Sequence, residues 1–235
     1  MNSSHDAAAP DNVKTPGSPI TKDPRDVVHE PEALEAYLDD MFLAENSSFE
    51  QWVAMFGQAF YRTRNHEILS LVAPLRPKKI FEFACAGGFL AELLLSQIGT
   101  IEHYVCSNFS KRMLEYTRSQ LSGYPKCVVL FADADVFRSE HMRAHRLAEY
   151  DTFITTSFEH IQFDRELIQQ LPSGANLVFS VALFDDPEHF RVFQDEAQLR
   201  SRYGDLLAIT YVGKNLEANK AVVAAKVRGR TDASP

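Results

Sequence analysis

Two histidines stand where a side chain could accept a proton during a reaction near neutral pH. His160 follows Glu159 in the segment TTSFEH, and His189 lies in DDPEHFRVF, two residues before Arg191. Each segment comes after an apolar run that predicts a buried strand. Glu159, His160 and His189 are therefore the candidate catalytic residues. A histidine that caps a helix or packs in the core is the alternative for the two imidazoles.

A second pair of histidines has the spacing of a metal site. His141 and His145 lie four residues apart, which would place both on one face of a helix. No carboxylate or thiol nearby completes a ligand set, and the flanking arginines favour an exposed helix. The sequence therefore predicts no metal site here.

The segment KKIFEFACAGGFLAELLL, residues 78–95, has the composition of a ligand-binding turn. Ile80, Phe81 and Phe83 predict a strand buried between helices. Small residues follow, so a ligand can approach the backbone closely, and the next helix begins with free N–H groups. These small residues are Ala84, Cys85, Ala86, Gly87 and Gly88. A strand, a small-residue turn and a helix N-terminus together predict a nucleotide-type binding site.

Apolar runs and helical patterns alternate after this turn. Further strands are predicted over residues 102–109, 127–133, 151–158, 175–184, 205–213 and 220–229. Helices are predicted over residues 110–121, capped by Ser110, and over 138–150, 164–174 and 187–204, the last capped by Asp186. The last two strands have no helix between them, which predicts an antiparallel hairpin at the edge of a mostly parallel sheet. The predicted fold class is α/β, with seven strands in a Rossmann-like sheet.

The N-terminal part of the chain differs in composition from the rest. Residues 1–30 hold four prolines and few large apolar side chains, which predicts a disordered tail. Residues 31–75 carry apolar side chains at helical spacing and predict a helical cap that forms a lid over a ligand, with plain core packing as the alternative. Residues 76–229 form the predicted binding domain, and residues 230–235 a frayed tail.

The overall composition narrows the class of protein. The chain of 235 residues has a net charge of −8, which argues against a protein devoted to nucleic acid. It contains no apolar run long enough to span a bilayer and no signal-peptide core. Cys85, Cys106 and Cys127 form no CxxC pair, which suits a reducing compartment. We expect a cytoplasmic monomer or homodimer without a nucleic-acid or membrane partner.

The order of elements, with these residues at the strand ends, resembles the class I S-adenosylmethionine-dependent methyltransferases over roughly residues 71–228. The family's first strand ends in E-x-G-x-G-x-G, which is matched here by Glu82, Ala84, Ala86 and Gly88, with alanine at two glycine positions. Because alanine disfavours positive φ, we expect the turn to keep ordinary dihedral angles at both alanines. The resemblance implies that Glu82 orients the methionine amino group of the cofactor while the turn, including Cys85, contacts its sulfonium end.

The resemblance implies further cofactor contacts at the ends of later strands. Asn108 stands where the family has an acid that binds the ribose hydroxyls, with an ordinary turn asparagine as the alternative, and Phe109 would pack on the adenine. Asp133 would accept a hydrogen bond from the adenine amine, and the backbone N–H of Ala134 would donate to the ring. Thr155 completes the set at the end of the fourth strand.

The resemblance favours His160 over His189 as general base, because the loop that carries His160 faces the methyl group in this architecture. One branch of the family binds a metal through Glu-x-x-Glu-His, but Thr156 stands where a glutamate is expected, so no metal is predicted. Tyr61, Phe158 and Arg191 are the candidate contacts for the acceptor. A surface ion pair with Asp195 is the alternative for Arg191.

The expected function is transfer of a methyl group from S-adenosylmethionine to an oxygen atom of a small metabolite, such as a sugar or a specialised product. S-adenosylhomocysteine would be the product of the cofactor. N-methylation, a protein-directed methyltransferase of the same fold, and a non-catalytic binding protein that keeps the fold are the alternatives.

Overall fold

The structure is a computed structural model and describes residues 20–21, 49–55, 57–108, 110–131, 146–184, 189–215 and 219–229. Some predicted features lie outside these residues, and their predictions stay predictions. They include residues 1–19 and 22–48 of the predicted tail and cap, residues 138–145 of a predicted helix, Phe109, Asp133, Ala134, His141, His145, Asp186 and the tail 230–235.

A seven-stranded sheet forms the centre of the molecule. Its strands are β2 (Lys79–Phe83), β3 (His103–Asn108), β4 (Cys127–Phe131), β5 (Thr152–Thr155), β6 (Asn176–Ala182), β8 (Leu207–Asn215) and β9 (Lys220–Val227). They lie in the order β4-β3-β2-β5-β6-β9-β8. The five strands from β2 to β6 are parallel, whereas β9 runs antiparallel to both β6 and β8. The predicted α/β class, with an antiparallel hairpin at the sheet edge, is confirmed.

Helices connect the strands and precede them. They are α1 (Phe49–Met55), α2 (Ala59–Val72), α3 (Phe89–Gln97), α4 (Lys111–Gln120), α5 (Asp164–Gln170) and α6 (Glu196–Tyr203). Single 3₁₀ turns cover Ala73–Leu75, Leu147–Glu149 and Phe158–His160. The cap predicted at Ser110 is present, since its Oγ accepts a hydrogen bond from the Met113 N–H at 3.2 Å. Among the described residues, no helix is both long and apolar enough to cross a membrane.

Two apolar clusters cover the two faces of the sheet. Successive residues of β2 point to opposite faces, so Phe81 packs with Phe153 and Phe179 on one side, while Ile80 packs with Leu94 on the other. All these side chains are fully buried. Parallel strands that are covered by helices on both faces need apolar residues at successive positions, which explains why the predicted strands read as continuous apolar runs.

A small second sheet corrects the helix predicted over residues 187–204. The strand β1 (Ile20–Thr21) pairs antiparallel with β7 (Arg191–Val192), and the other residues of the tail predicted over 1–30 lie outside the described part of the chain. The helix predicted over residues 187–204 begins only at Glu196, after this strand. Its N-cap is Asp195, whose Oδ1 accepts from the Gln198 N–H at 2.8 Å.

Candidate active site

The turn between β2 and α3 has a strained backbone. Ala84 and Ala86 have φ angles of 53° and 47°, and Gly88 has a φ of 79°. The expectation that the two alanines keep ordinary dihedral angles is therefore wrong. The left-handed conformation costs about 1–2 kcal/mol at a residue with a Cβ. Such strain persists only where the surrounding structure imposes it.

Hydrogen bonds from neighbouring elements impose this conformation. The Cys85 N–H donates to the Ser107 carbonyl at 2.9 Å, and the Thr117 hydroxyl donates to the Ala86 carbonyl at 2.8 Å. At Gly88, an added Cβ would lie 2.9 Å from the Thr117 Cγ2, so glycine is required there by both space and dihedral angle. The turn is thus fixed from both sides, by β3 and by α4.

An open, shallow cleft lies beside this turn. Cys85, Ala86, Phe89 and Leu90 form the wall that belongs to the turn and to α3, and polar groups form the rest of the lining. These polar groups are Arg64, Asn65, Glu82 and Thr156. The cleft is therefore small, partly apolar, and lined by one basic and one acidic side chain.

Glu82 is buried at the carboxyl end of β2. Its Oε2 accepts a hydrogen bond from the Tyr104 hydroxyl at 2.8 Å, and the Cys106 thiol lies 3.8 Å from the same oxygen. Burial raises the pKa of this carboxyl to about 7, against the opposing effects of the Tyr104 hydrogen bond and of Arg64. No cation contacts it among the described residues, so its negative charge is poorly compensated.

Arg64 brings a buried positive charge to the same cleft. Its Nε and one Nη donate to the Asn65 Oδ1 at 3.3 and 3.1 Å, and its other Nη donates to the Thr156 carbonyl at 3.4 Å. These acceptors are neutral, and no carboxylate of the described chain forms an ion pair with the guanidinium. Burial lowers the pKa of Arg64, which Tyr61, Glu159 and Glu82 partly offset.

Arg64 and Asn65 were not predicted from the sequence as site residues. Arg64, Ile68 and Val72 recur every four residues and are all buried, so Arg64 lies on the apolar face of α2. A charged residue at a buried position of a helical pattern was the available signal. Tyr61 lies close by, with the Arg64 guanidinium carbon 5.0 Å from its ring centroid. Its contact with an acceptor stays a prediction.

Two further predicted cofactor contacts already have partners within the protein. The Asn108 Oδ1 accepts a hydrogen bond from the Ser110 N–H at 3.0 Å, which is the turn role given above as the alternative. The Thr155 side chain is fully buried, and its hydroxyl oxygen accepts from the Ser157 N–H at 3.4 Å. Contacts of these two residues with a cofactor stay predictions.

The three candidate catalytic residues come together in space. Glu159 and His160 lie in the 3₁₀ turn after β5, and the Phe190 N–H donates to the Glu159 carbonyl at 2.9 Å, which holds the segment of His189 beside this turn. The two imidazole rings meet edge to face, with centroids 5.0 Å apart. One potential ligand atom from each of the three side chains lies within 4.8 Å of the other two. The sequence predicted the two histidines as separate candidates, without their contact.

Glu159 is buried, and Lys220 compensates its charge. The Lys220 ammonium contacts Oε1 of Glu159 and lies 3.4 Å from the Thr156 carbonyl oxygen, while His160 Nε2 lies 3.7 Å from the same Oε1. Burial alone would raise the pKa of Glu159, but Lys220, then His160 and His189, hold it below its ordinary value. Its Oε2 is buried and has no hydrogen-bond partner in the described part of the chain. Lys220 was not predicted as the partner of Glu159, because it lies 61 residues away in the sequence, at the start of β9.

The tautomer of His189 follows from its backbone contact. Its Nδ1 lies 3.1 Å from the Phe184 carbonyl oxygen, which can only accept a hydrogen bond. In the neutral ring, Nδ1 therefore carries the hydrogen and Nε2 is the acceptor nitrogen. His189 is buried, whereas the side chain of His160 is 35% exposed. Of the two histidines, His160 is the more accessible to an acceptor.

Arg191 and Phe158 have structural contacts. The two Nη atoms of Arg191 donate to the Ile161 and Gln162 carbonyls at 2.8 and 2.6 Å, and its Nε lies 3.3 Å from Asp164 Oδ2. The ion pair of Arg191 is thus buried and formed with Asp164, which corrects the surface pair expected with Asp195. These contacts anchor the loop that follows His160, and any contact of Arg191 with an acceptor stays a prediction.

Phe158 lies in the core beneath this loop. Its ring packs on Phe179 at a centroid distance of 4.6 Å and on Tyr203 at 5.8 Å, and only 2% of the residue is exposed. These contacts favour a packing role, and its predicted contact with an acceptor has no support from the described geometry.

Known proteins share the fold of this chain at low sequence identity. No protein-family model matches the chain, and no curated protein sequence matches it. Among solved structures, the CurJ carbon methyltransferase superimposes with a TM-score of 0.63 at 12% identity, over 86% of this chain and 62% of that one. The chain has the class I S-adenosylmethionine-dependent methyltransferase fold.

Two N-methyltransferases have the same fold. NodS from Bradyrhizobium japonicum WM9, in complex with S-adenosylhomocysteine, gives a TM-score of 0.60 at 13% identity, over 81% of this chain and 98% of that one. The 1,6-didemethyltoxoflavin-N1-methyltransferase of Burkholderia thailandensis gives 0.63 at 12% identity, over 94% of this chain and all of that one. In this fold the carboxyl ends of β2, β3 and β5 form one edge of the sheet, and Glu82, Asn108 and the Glu159 turn lie there.

Proposed function

We propose that this chain binds S-adenosylmethionine in the cleft beside Ala84–Gly88 and transfers its methyl group to an oxygen atom of a small-molecule acceptor. The observation that carries the proposal is that buried Arg64 and buried Glu82 both line one cleft without contacting each other. The methionine end of the cofactor has a carboxylate and an ammonium group on one carbon atom. A guanidinium and a carboxyl group are their complementary partners.

The electrostatics of the cleft support this assignment. Arg64 is already desolvated, and its hydrogen-bond acceptors among the described residues are neutral, so a bound carboxylate would give it an anionic partner. Glu82 has a pKa of about 7, and a bound ammonium group would favour its ionised form. Since both groups are positioned before the ligand arrives, little ordering cost accompanies binding.

The cluster of Glu159, His160 and His189 would serve the acceptor. Methyl transfer from a sulfonium is an in-line displacement, so the protein mainly orients the acceptor and removes its proton. We assign that proton to His160, the more exposed imidazole, with the ionised Glu159 beside it to stabilise the imidazolium. The acceptor oxygen gains the methyl group, and S-adenosylhomocysteine leaves. The Thr156 carbonyl contacts both Arg64 and Lys220, so the cofactor cleft and the cluster adjoin at one residue.

A small-molecule acceptor has further support from a similar structure. The Burkholderia thailandensis enzyme holds 1,6-didemethyltoxoflavin together with S-adenosylhomocysteine. The similar proteins are carbon and nitrogen methyltransferases. The proposal that this chain methylates an oxygen atom therefore rests on the histidine cluster. A cytoplasmic location and a monomeric or homodimeric state stay predictions from composition.

Calorimetry with two ligands tests the binding step. We expect S-adenosylhomocysteine to bind the wild-type protein, and methylthioadenosine, which lacks the amino acid end, to bind at least about tenfold more weakly, as the loss of a charged hydrogen bond implies. Arg64→Met should remove most of this difference, whereas Arg62→Met, an exposed site on the same helix, should keep it. Equal binding of both ligands to the wild-type protein would overturn the role of Arg64, and no binding of either would overturn the proposed function.

A further inference from the structure

We propose that Cys106 and Cys127 form a reversible disulfide when the protein meets a hydroperoxide, and that this disulfide weakens binding of the methyl donor. The two thiols belong to the neighbouring strands β3 and β4, and the proposed transfer reaction uses neither of them. Formation of the disulfide is independent of the methyl donor, whereas its effect on binding rests on the proposed function.

The two sulfur atoms are already in contact. Cys106 Sγ lies 3.7 Å from Cys127 Sγ, and neither residue is in a disulfide. Cys127 pairs with Tyr104 across the two strands, and Cys106 pairs with Val129. The two cysteines are therefore diagonal neighbours on one face of the sheet. A disulfide has a sulfur–sulfur distance of about 2.05 Å, so the two atoms must approach by about 1.7 Å.

The position of β4 in the sheet allows this approach. It is the last strand in the sheet order, and β3 is its only neighbour among the described strands. Diagonal neighbours on adjacent strands have Cα atoms about 7–8 Å apart, whereas disulfides join Cα atoms about 4.4–6.8 Å apart. The strand β4 must therefore shift toward β3 by about 1 Å. Because strained disulfides are easily reduced, the bond is suited to reversible regulation.

Cys127 is the thiol that a peroxide reaches first. It is partly exposed, whereas Cys106 is fully buried, and burial raises the pKa of the Cys106 thiol so that it stays protonated. The Cys127 thiolate attacks the peroxide, the O–O bond breaks, and a sulfenic acid forms while hydroxide leaves.

Cys106 then completes the disulfide. Its sulfur attacks the Cys127 sulfur, the S–O bond of the sulfenic acid breaks, and the hydroxyl group takes up the Cys106 proton and leaves as water. The two cysteines lose two electrons in total, and the peroxide gains them. The contact between the two sulfur atoms offsets the low reactivity of a protonated thiol, because the reacting atoms need no diffusion to meet.

Cys106 connects this disulfide to the cofactor cleft. Its thiol donates to Glu82 Oε2 at 3.8 Å and also interacts with Cys85, which lines the cleft. Burial raises the pKa of Glu82, and the Cys106 thiol opposes this effect together with Tyr104 and Arg64. A disulfide sulfur has no hydrogen to donate, so oxidation removes one of the groups that favour ionised Glu82. In the proposed function this ionised form binds the ammonium group of the methyl donor, so its loss should weaken binding.

The test is treatment of the full-length, fully reduced protein with hydrogen peroxide, followed by peptide mapping with mass spectrometry and by calorimetry with S-adenosylhomocysteine. We expect a cross-link between the peptides of Cys106 and Cys127. We also expect the affinity at about pH 7 to fall by about fivefold, as the loss of one hydrogen bond implies. Dithiothreitol should remove the cross-link and restore the affinity.

Two variants separate the disulfide from other oxidation. Cys127→Ala keeps the contact between Cys106 and Glu82 and is the matched control. Its affinity should equal that of the reduced wild type both before and after peroxide. Reduced Cys106→Ala lacks the thiol that donates to Glu82, so it should bind as weakly as the oxidised wild type and should not respond to peroxide.

Four results would overturn the proposal. They are a treated wild type without the cross-link, a cross-link from Cys106 to Cys85 instead, a fully cross-linked protein that keeps its affinity, and a peroxide effect that persists in Cys127→Ala. If a variant fails to fold, the wild type decides, because mapping and recovery with dithiothreitol need no variant. If the reduced wild type binds no S-adenosylhomocysteine, the proposed function fails together with the effect on binding, and the map still decides whether the disulfide forms.

Discussion

Glu82 and Glu159 are equally buried glutamates with opposite electrostatic behaviour. Both are 1% exposed, and they lie near the carboxyl ends of the neighbouring strands β2 and β5. Burial raises the pKa of Glu82 to about 7, whereas the pKa of Glu159 is held below its ordinary value. Their contacts explain the contrast. Glu82 accepts from a neutral hydroxyl, and Glu159 contacts the Lys220 ammonium.

The contrast teaches that the charge partner, more than burial, sets the ionisation of a carboxyl in this site. The charge of Glu159 is balanced by the protein itself, so it can stabilise a positive charge on His160 at neutral pH. Within the described chain, the charge of Glu82 is compensated only from a distance, by Arg64, and in the proposed function a cationic ligand group would stabilise it. The protein itself balances the charge on the Glu159 side, and a ligand would balance it on the Glu82 side.

Removing Lys220 should have the largest effect on the Glu159 side. Lys220→Met leaves a buried carboxylate without its partner, and we expect a loss of about 3–5 kcal/mol in the free energy of unfolding, measured by denaturant titration with a chelator present. The exposed Lys214→Met, in the adjacent strand β8, is the control and should change little. Adding Glu159→Gln to Lys220→Met should recover much of the loss. A stable single variant would show that the ion pair does not hold Glu159 ionised.

Replacing His160 should lower the rate of methyl transfer without weakening cofactor binding. We expect His160→Gln to lower the methyl-transfer rate by about 100-fold, the contribution typical of a general base, while the affinity for S-adenosylhomocysteine changes less than twofold. The measurement is turnover with an identified acceptor, beside calorimetry with the product, and His66→Gln on α2 is the control. A parallel loss of cofactor affinity would mean that the cluster and the cleft are not separable.

The pH dependence of cofactor binding should report on Glu82. Its carboxyl is protonated below about pH 7 in the free protein, and only the ionised form attracts the ammonium group of the ligand. The affinity for S-adenosylhomocysteine should therefore rise with pH toward 7 and level off above it, with a loss of about tenfold at one pH unit below the pKa. Glu82→Gln should bind weakly with no such slope. A wild-type affinity that stays constant between about pH 5.5 and about pH 8, on both sides of this pKa, would contradict the assignment.

The sequence predicted the fold and the position of Glu82 well because both depend on local patterns. Continuous apolar runs mark strands that are covered on both faces, and an acid followed by small residues marks a strand end. The partners that set the electrostatics come from distant parts of the chain. Arg64 reaches Thr156 across 92 residues, and Lys220 reaches Glu159 across 61 residues. The helical pattern could have marked Arg64 as buried, but a single sequence does not show which distant residue it contacts.

Where tertiary contacts opposed local preference, the sequence predictions were wrong. The helix expected from residue 187 begins after Asp195, since Arg191 and Val192 are extended and pair with Ile20 and Thr21. The two alanines of the turn between β2 and α3 adopt positive φ because of two hydrogen bonds. One, to β3, holds the Cys85 N–H, and the other, from α4, holds the Ala86 carbonyl. In both places the local residue type favoured a conformation that the packed structure overrides.

Replacing the alanines of the turn between β2 and α3 tests its backbone strain, and we expect this change to have the smallest effect. Ala84→Gly or Ala86→Gly removes a left-handed cost of about 1–2 kcal/mol, and the added freedom of glycine in the unfolded chain returns about 0.5–1 kcal/mol of it. Each variant should therefore be more stable than the wild type by up to about 1 kcal/mol in denaturant titration. The matched control, Ala54→Gly in the exposed face of α1, should lose about 1 kcal/mol, since no strain is relieved there. If the turn variants lose stability as the control does, the left-handed conformation costs the protein nothing, and the two alanines are as well suited to this turn as glycine.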